Sequence, residues 1–285
     1  MMEPYRARRR PAVRKVAREV VLNVAGLVVV GIILFPIYWA LRVAGSSGAN
    51  VLVQAPDLLP LHWVAANFRT AWHAESGNIA TSLLVSVSVV AIGLLIATPA
   101  AYGLKRFRSR SGGIVVGTLL LTQMVPSIAL SIAFYALFRR LGLLNGYVGL
   151  ILADSTYAVP LMVVLLRAFL DAVPRELIEA AQVDGANEFR CAWSVVLPVA
   201  VPGIITAGMF GFLLAWGDFL FGLTLNSGGT IQPMTLGLYK FIGVYSTEWG
   251  PIMATVIIAA VPAALLLAVG QRWVSGGLRA GALKG

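Results

Sequence analysis

Cysteine is almost missing. Cys191 stands alone in 285 residues, so no intrachain disulfide can form. No motif surrounds it, and it reads as a small apolar residue. Histidine is as scarce. His62 and His73 lie far outside the spacing of about four that a helical metal pair needs, and no cysteine is near them. Charge is sparse: Asp, Glu, Lys and Arg make up 12% of the chain, about half of what a soluble domain carries. No long polar block could form a separate soluble domain. The sequence has no Gly-rich phosphate loop ending in Lys-Ser/Thr, no Gly-x-Ser-x-Gly, no Cys–His arrangement and no paired carboxylates. These absences exclude a disulfide scaffold, a metal enzyme and an ATPase site in this chain.

What remains is apolar: 59% of the residues. A surface with so few polar groups needs lipid as its solvent. The net charge of +10 does not mark a nucleic-acid binder, because the basic residues gather in short stretches between apolar runs, as in cytoplasmic membrane loops. Six apolar stretches reach about 20 residues, enough to cross a core about 30 Å thick. They fall near 20–44, 78–104, 113–138, 147–169, 199–222 and 250–272. The expected fold is therefore an all-α integral membrane protein with six transmembrane helices.

Orientation follows from Lys and Arg. With the N-terminus inside, the inner segments hold Arg6, Arg8, Arg9, Arg10, Arg14, Lys15 and Arg18; Lys105, Arg106, Arg108 and Arg110; Arg167, Arg175 and Arg190; and Arg272, Arg279 and Lys284. The outer segments hold only Arg42, Arg69, Arg139, Arg140 and Lys240. This bias predicts both termini in the cytoplasm, with a basic arm at 1–19 and a short tail at 273–285. The first apolar run is too long for the ~7–15-residue core of a signal peptide. The arm reads as a solvated tail that fixes orientation. Of the outer loops, the first, about 45–77, holds Trp63, Trp72 and both histidines, and the third, about 223–249, is Gly-rich.

Each span carries a proline inside or near its start: Pro36, Pro99, Pro126, Pro160, Pro202 and Pro262. Proline removes a backbone hydrogen bond and kinks a helix, which a membrane bundle tolerates where neighbours satisfy the freed carbonyl. The set suggests a bundle that bends. Ala207, Gly211 and Ala215 in the fifth span, and Ser82 and Ser86 in the second, recur at four-residue spacing, a pattern that lets helices approach closely.

The inner loop 170–198 differs from the others. Pro174 suits a helix start, Glu176 complements the dipole of the first turn, and Leu177, Ile178, Ala181 and Val183 give a partly apolar face. Gly185 is a natural stop. A second amphipathic piece follows with Phe189, Trp193, Val196 and Leu197. This is a short helix-turn-helix outside the membrane, equally suited to capping the bundle and to meeting a cytoplasmic partner.

Within it, Glu179-Ala180-Ala181, then Gly185 after three residues, then Leu197-Pro198 resembles the EAA motif of ABC importer permeases. Asn67-Phe68, Ala215-Trp216-Gly217-Asp218-Phe219 and the tail Gly277–Gly285 resemble the carbohydrate branch, in particular the smaller six-helix subunit of the maltose-importer type. Gly217 stands where many relatives have Asn, and the basic arm is longer than usual. The resemblance implies a second homologous permease as partner, an ATPase dimer that binds ATP and Mg and receives the EAA helix, an extracytoplasmic substrate-binding protein, and a carbohydrate cargo. It implies the bacterial cytoplasmic membrane as location and ATPase coupling for Glu179, Ala180, Ala181 and Gly185, with Glu179 as ion-pair partner of a basic residue on the ATPase. No cofactor is expected in this chain.

Intramembrane polar residues are candidates for a translocation pathway. Gln123, Asp154, Tyr157, Trp216 and Asp218 suit a sugar, which takes hydrogen bonds on its hydroxyls and aromatic stacking on its apolar face. Against these roles, Asp154 could pair with Arg139 or Arg140, Trp216 could anchor the interface, and Asp218 could be a helix-end charge. The lack of mid-membrane Lys or Arg argues against an anionic substrate. The alternatives are a permease for a non-sugar ABC importer, and a stand-alone secondary transporter, which would need an ion site and two related halves.

Overall fold

The computed structural model describes residues 10–46, 63–106, 110–229, 231–242 and 247–282. These residues form eleven α-helices: α1 (Arg10–Ala44), α2 (Ala66–Arg106), α3 (Arg110–Thr122), α4 (Ser127–Leu141), α5 (Tyr147–Asp171), α6 (Arg175–Val183), α7 (Glu188–Cys191), α8 (Leu197–Trp216), α9 (Leu220–Leu225), α10 (Met234–Gly237) and α11 (Trp249–Ala282). A π-helical turn (Ala192–Val196) joins α7 to α8, and a 3-10 turn (Leu238–Phe241) follows α10. Among the described residues the sole β pairing is an isolated bridge between Ile242 and Thr247.

Five helical stretches are long and apolar enough to cross a membrane, and the bent pair α3–α4 makes a sixth if counted as one span. The apolar fit of α1 is unlike that of a soluble helix. Residues 18–38 are exposed on every side where described, and a helix apolar all round needs lipid or protein on all faces.

The third span departs from expectation. It is not one helix over 113–138, because α3 and α4 meet at an angle of 86°. Pro126 has no N–H to extend the ladder of α3 and disfavours helical geometry at Val125. The N–H groups of Gln123, Met124 and Val125 turn instead to Leu120 O, Leu121 O and Thr122 O, at 3.1, 3.0 and 3.3 Å. Pro36, Pro99, Pro160, Pro202 and Pro262 lie inside unbroken helices.

Two other boundaries shift. The helix of the second span begins at Ala66 rather than 78, so the inner part of the expected 45–77 loop is helical. Hydropathy marks where lipid ends, not where the hydrogen-bond ladder ends. The fifth stretch, expected over 199–222, stops at Trp216 and restarts as α9 at Leu220.

α2, α5 and α8 form the centre. Met162 of α5 is fully buried between two glycines. A Cβ on Gly93 of α2 would lie 2.6 Å from its sulfur, and one on Gly211 of α8 would lie 2.7 Å away. The three backbones can approach only because both positions lack a side chain. Ser82, Ser86, Ala207 and Ala215 are buried in the same bundle. Around this core, α11 packs on α1, α2 and α8. Asn67 at the start of α2 donates to Ala44 O and Ser46 O at 2.9 and 2.8 Å, satisfying carbonyls at the end of α1 that have no helical partner.

Candidate functional site

The loop between α5 and α8 is built by a series of helix-end devices. Lys105 Nζ, from the end of α2, donates to Leu170 O at 2.6 Å and Val173 O at 3.0 Å and closes the end of α5. Pro174 then occupies the cap position of α6, and Glu176 lies in its first turn. α6 ends in a Schellman motif. Ala186 N donates to Ala181 O (2.9 Å) and Gly185 N to Gln182 O (3.0 Å). Gly185 has φ +84°, the left-handed conformation this motif needs and that glycine adopts without strain.

Asn187 opens α7, its side chain accepting from Arg190 N at 2.9 Å. Beyond α7 the backbone widens into the π turn, where Leu197 N reaches back five residues to Ala192 O. Pro198, next in line, cannot donate to the ladder and crowds the carbonyl four residues earlier. The wider turn accommodates it, and the helix runs without interruption from Glu188 to Trp216.

Glu188 holds the loop to the bundle. Arg106 Nη2 lies 2.6 Å from its carboxylate. Gln182 Nε2 donates to it at 3.1 Å and Tyr102 O–H at 3.4 Å. The sequence reading missed this residue and Asn187. Asn187 had a local signal, a short polar side chain just ahead of an apolar-patterned stretch. Two partners of Glu188, Tyr102 and Arg106, lie more than 80 residues away in α2, and nothing in the sequence links them to it.

Glu179 and Ala180 are exposed and Ala181 is half-buried. Among the described residues no ion pair involves Glu179, which lines a cleft with Arg106, Arg175, Ile178 and Gln182. The same loop exposes large apolar side chains: Val183 is 88% exposed, Phe189 72% and Trp193 60%. Phe189 and Trp193 lie ring against ring, centroids 5.9 Å apart. With Leu177 these side chains form an exposed apolar grouping of the kind found where a protein meets a partner or a membrane.

The five expected pathway residues divide. Gln123 and Tyr157 meet at the α3–α4 bend. Gln123 Nε2 donates to Tyr157 O at 2.9 Å, and the Tyr157 phenol donates to Val125 O. The phenol satisfies backbone freed by the break, Gln123 ties the break to α5, and both residues remain half-exposed. Asp154, one turn earlier on α5, is buried with Asp218 as its charged neighbour. Among the described residues no ion pair joins it to Arg139 or Arg140.

Trp216 and Asp218 both bond to neighbouring backbone. Trp216 is buried, stacks on Phe212 and donates from Nε1 to Ala259 O at 3.2 Å, tying α8 to α11. Asp218 accepts from Phe221 N (3.2 Å) and Gly222 N (2.9 Å) and so caps α9. Phe221 in turn packs against Tyr157, centroids 6.0 Å apart. The structure thus brings Gln123, Asp154, Tyr157 and Asp218 into one region and leaves Trp216 between α8 and α11.

Comparison with known proteins agrees with this arrangement. Residues 89–280 match the family described as "Binding-protein-dependent transport system inner membrane component". The diacetylchitobiose uptake system permease protein DasC of Streptomyces coelicolor is 34% identical over 266 residues, covering 92% of this chain and 96% of that protein. The sulfoquinovosyl glycerol transport system permease protein SmoH of Agrobacterium fabrum is 30% identical, covering 88% and 89%. In three dimensions the chain resembles a chain of a bacterial ABC transporter involved in the import of the acidic polysaccharide alginate, with TM-score 0.71, 22% identity and coverage of 95% and 99%. On these matches and on its membrane-length helices, the chain belongs to the family of inner-membrane components of binding-protein-dependent transport systems.

Proposed function

We propose that this chain forms half of the translocation pathway of an ATP-driven, binding-protein-dependent carbohydrate importer and that α6 is its coupling helix. The observation that carries the coupling role is α6 itself: a nine-residue helix ending at a left-handed glycine, with Glu179 exposed and Leu177, Val183, Phe189 and Trp193 presented beside it. A carbohydrate cargo is supported by the transport systems of DasC and SmoH, named for a chitobiose derivative and a glycosyl glycerol. The basic bias of the expected inner segments supports the orientation with both termini and α6 in the cytoplasm.

In this reading an ATPase dimer docks on the α6–α7 surface, a second homologous permease completes the pore, and a binding protein delivers the sugar outside. ATP and Mg bind to the ATPase subunits, and this chain supplies no hydrolytic site. Its own part is mechanical. The Glu188–Arg106 pair links the loop to α2, and the uninterrupted helix from Glu188 to Trp216 links it to the centre of the bundle. A push on α6 therefore travels along α8 to the break at Gly217, beside the Asp218 cap and the Tyr157–Phe221 contact. Gln123 Oε1, the Tyr157 phenol oxygen and the Asp154 carboxylate are the groups in that region suited to sugar hydroxyls. Ala180 and Ala181 are small enough for close docking, and Glu179 provides a carboxylate for a basic ATPase residue.

The test is ATPase activity of the assembled complex in nanodiscs, wild type against Glu179→Ala, with and without sugar-loaded binding protein. A shielded pair at Glu179 is worth about 2–5 kcal/mol of docking energy on truncation, and a rim pair under about 1. Loss of stimulation in Glu179→Ala supports the coupling role. Wild-type stimulation in the variant refutes that role, and failure to assemble with any ATPase refutes the importer reading.

A further inference from the structure

Two cavities adjoin at the α6 end of the bundle, and no role assigned above uses them. The first is an apolar groove of about 440 Å³ between α2, α3 and α5, walled by Ile96, Ala100, Leu104, Val115, Leu119 and Val163. The second, of about 290 Å³, is polar and lined by Lys105, Arg167, Asp171 and Arg175 together with Leu104 and Val173. Leu104 is shared by both. Arg167 Nη1 donates to Gly112 O at 2.7 Å, and Gly112 is part of the groove wall. The polar chamber is thus stitched to the end of the apolar one. Together they fall in the size range of small-molecule sites, ~300–1,000 Å³.

Charge in the polar chamber is one-sided. Three cations face one carboxylate, and Asp171 is already engaged by Arg167 Nε at 3.4 Å. Lys105 spends two of its three N–H donors on Leu170 O and Val173 O and keeps one. Arg175 has no ion-pair partner among the described residues. The groove beside it is apolar and opens toward the lipid-facing side, where Ile96 and Val115 are exposed. An acyl chain with an anionic headgroup has this same division, apolar along its length and negative at its end. A small soluble anion would use the polar chamber alone and leave the groove unexplained.

We propose that the two cavities form one site for an anionic phospholipid, with an acyl chain along Ile96, Ala100 and Leu119 and the headgroup phosphate on Arg175, Arg167 and the remaining donor of Lys105. Because Arg175 opens α6 and Lys105 closes α5, a lipid bound there fixes the angle at which α6 leaves the bundle.

The test is native mass spectrometry of the complete transporter released from nanodiscs of equal phosphatidylglycerol and phosphatidylcholine. Wild type, Arg175→Ala and Ala100→Trp are compared. Arg175→Ala removes an exposed charge, and Ala100→Trp fills the groove while keeping every charge. The expected result is preferential retention of phosphatidylglycerol by wild type. Apparent affinity should fall about fivefold in Arg175→Ala, the factor for one basic residue near an anionic membrane surface, and retention should be lost in Ala100→Trp. Equal retention of the two lipids by wild type overturns the proposal. So does unchanged retention in Ala100→Trp, which leaves only a headgroup contact. If wild type holds no lipid and Ala100→Trp blocks assembly with the second permease, a partner helix fills the groove and the proposal falls.

Discussion

Replacing Gly185 with alanine isolates a single backbone angle. A Cβ at this position meets nothing within 4 Å, so the substitution creates no clash. What it changes is the cost of φ +84°. For an L-residue with a Cβ the left-handed conformation costs roughly 1–2 kcal/mol relative to glycine, which lowers the population of the closed Schellman stop by a factor of about 5–30. The two bonds that define the stop, Ala186 N to Ala181 O and Gly185 N to Gln182 O, then open more often. α7 loses its fixed angle to α6, and Phe189 and Trp193 move relative to Glu179. Asparagine tolerates the left-handed region better than other side chains, so Gly185→Asn should recover most of the loss, and the β-branched Gly185→Val should be worse than alanine. The assay is sugar-stimulated ATPase activity in the reconstituted complex, with a thermal melt of the same samples. The expected order of coupling is Gly, Asn, Ala, Val. Equal activity of the wild type and the three variants would refute the claim that the left-handed stop sets the proposed docking surface. A ranking by side-chain volume, with Asn below Ala, would mean that a partner packs directly on the Cα of Gly185.

Further predictions concern the core and the loop's tether. Met162→Ala empties the space between Gly93 and Gly211 and should cost about 2–5 kcal/mol, as for other buried large-to-Ala changes, read as a lower melting temperature of the purified subunit. Glu188→Gln breaks an ion pair whose partners are 49% and 53% exposed, so stability should fall by less than about 1 kcal/mol. Coupling should fall further than stability, because the tether positions α6 rather than holding the fold, and this is measured as the ratio of stimulated to basal ATPase activity.

Hydropathy and spacing revealed the helical class, the number of spans and the stop at Gly185, because each rests on a local rule. Lipid length sets the apolar runs, and a left-handed turn needs glycine. The 86° bend was hidden, because Pro126 is one of six similar prolines. Only the surroundings distinguish it. The Tyr157 phenol satisfies Val125 O at that break and Gln123 ties it to α5, while Pro160 and Pro202 sit in helices that the packed core keeps continuous. The partners of Trp216 and Asp218 were illegible for a related reason. An indole and a carboxylate near the end of a span suit a sugar by composition, yet the Trp216 N–H goes to Ala259 O and the Asp218 oxygens go to the first turn of α9. Whether a polar group is spent on backbone or left for a ligand is a tertiary fact. The Glu188–Arg106 pair was illegible for the same reason, since it joins the C-terminal end of α2 to a loop that follows three intervening helices.

The π turn between α7 and α8 acts as an angular offset. Each α-helical residue advances the chain by about 100° around the axis, and a π turn admits one residue beyond the α-helical count. It therefore sets the phase between two faces of one continuous rod: Phe189 and Trp193 exposed at one end, Ala207, Gly211 and Ala215 turned to the core at the other. Deleting one residue from 194–196 would let the wide turn close to the α-helical count and keep the two faces in register, whereas deleting one from within α8 would turn them about 100° apart. The relative direction of the two ends of this rod is thus buffered by the wide turn, which takes up one residue of length that an α-helical turn could not.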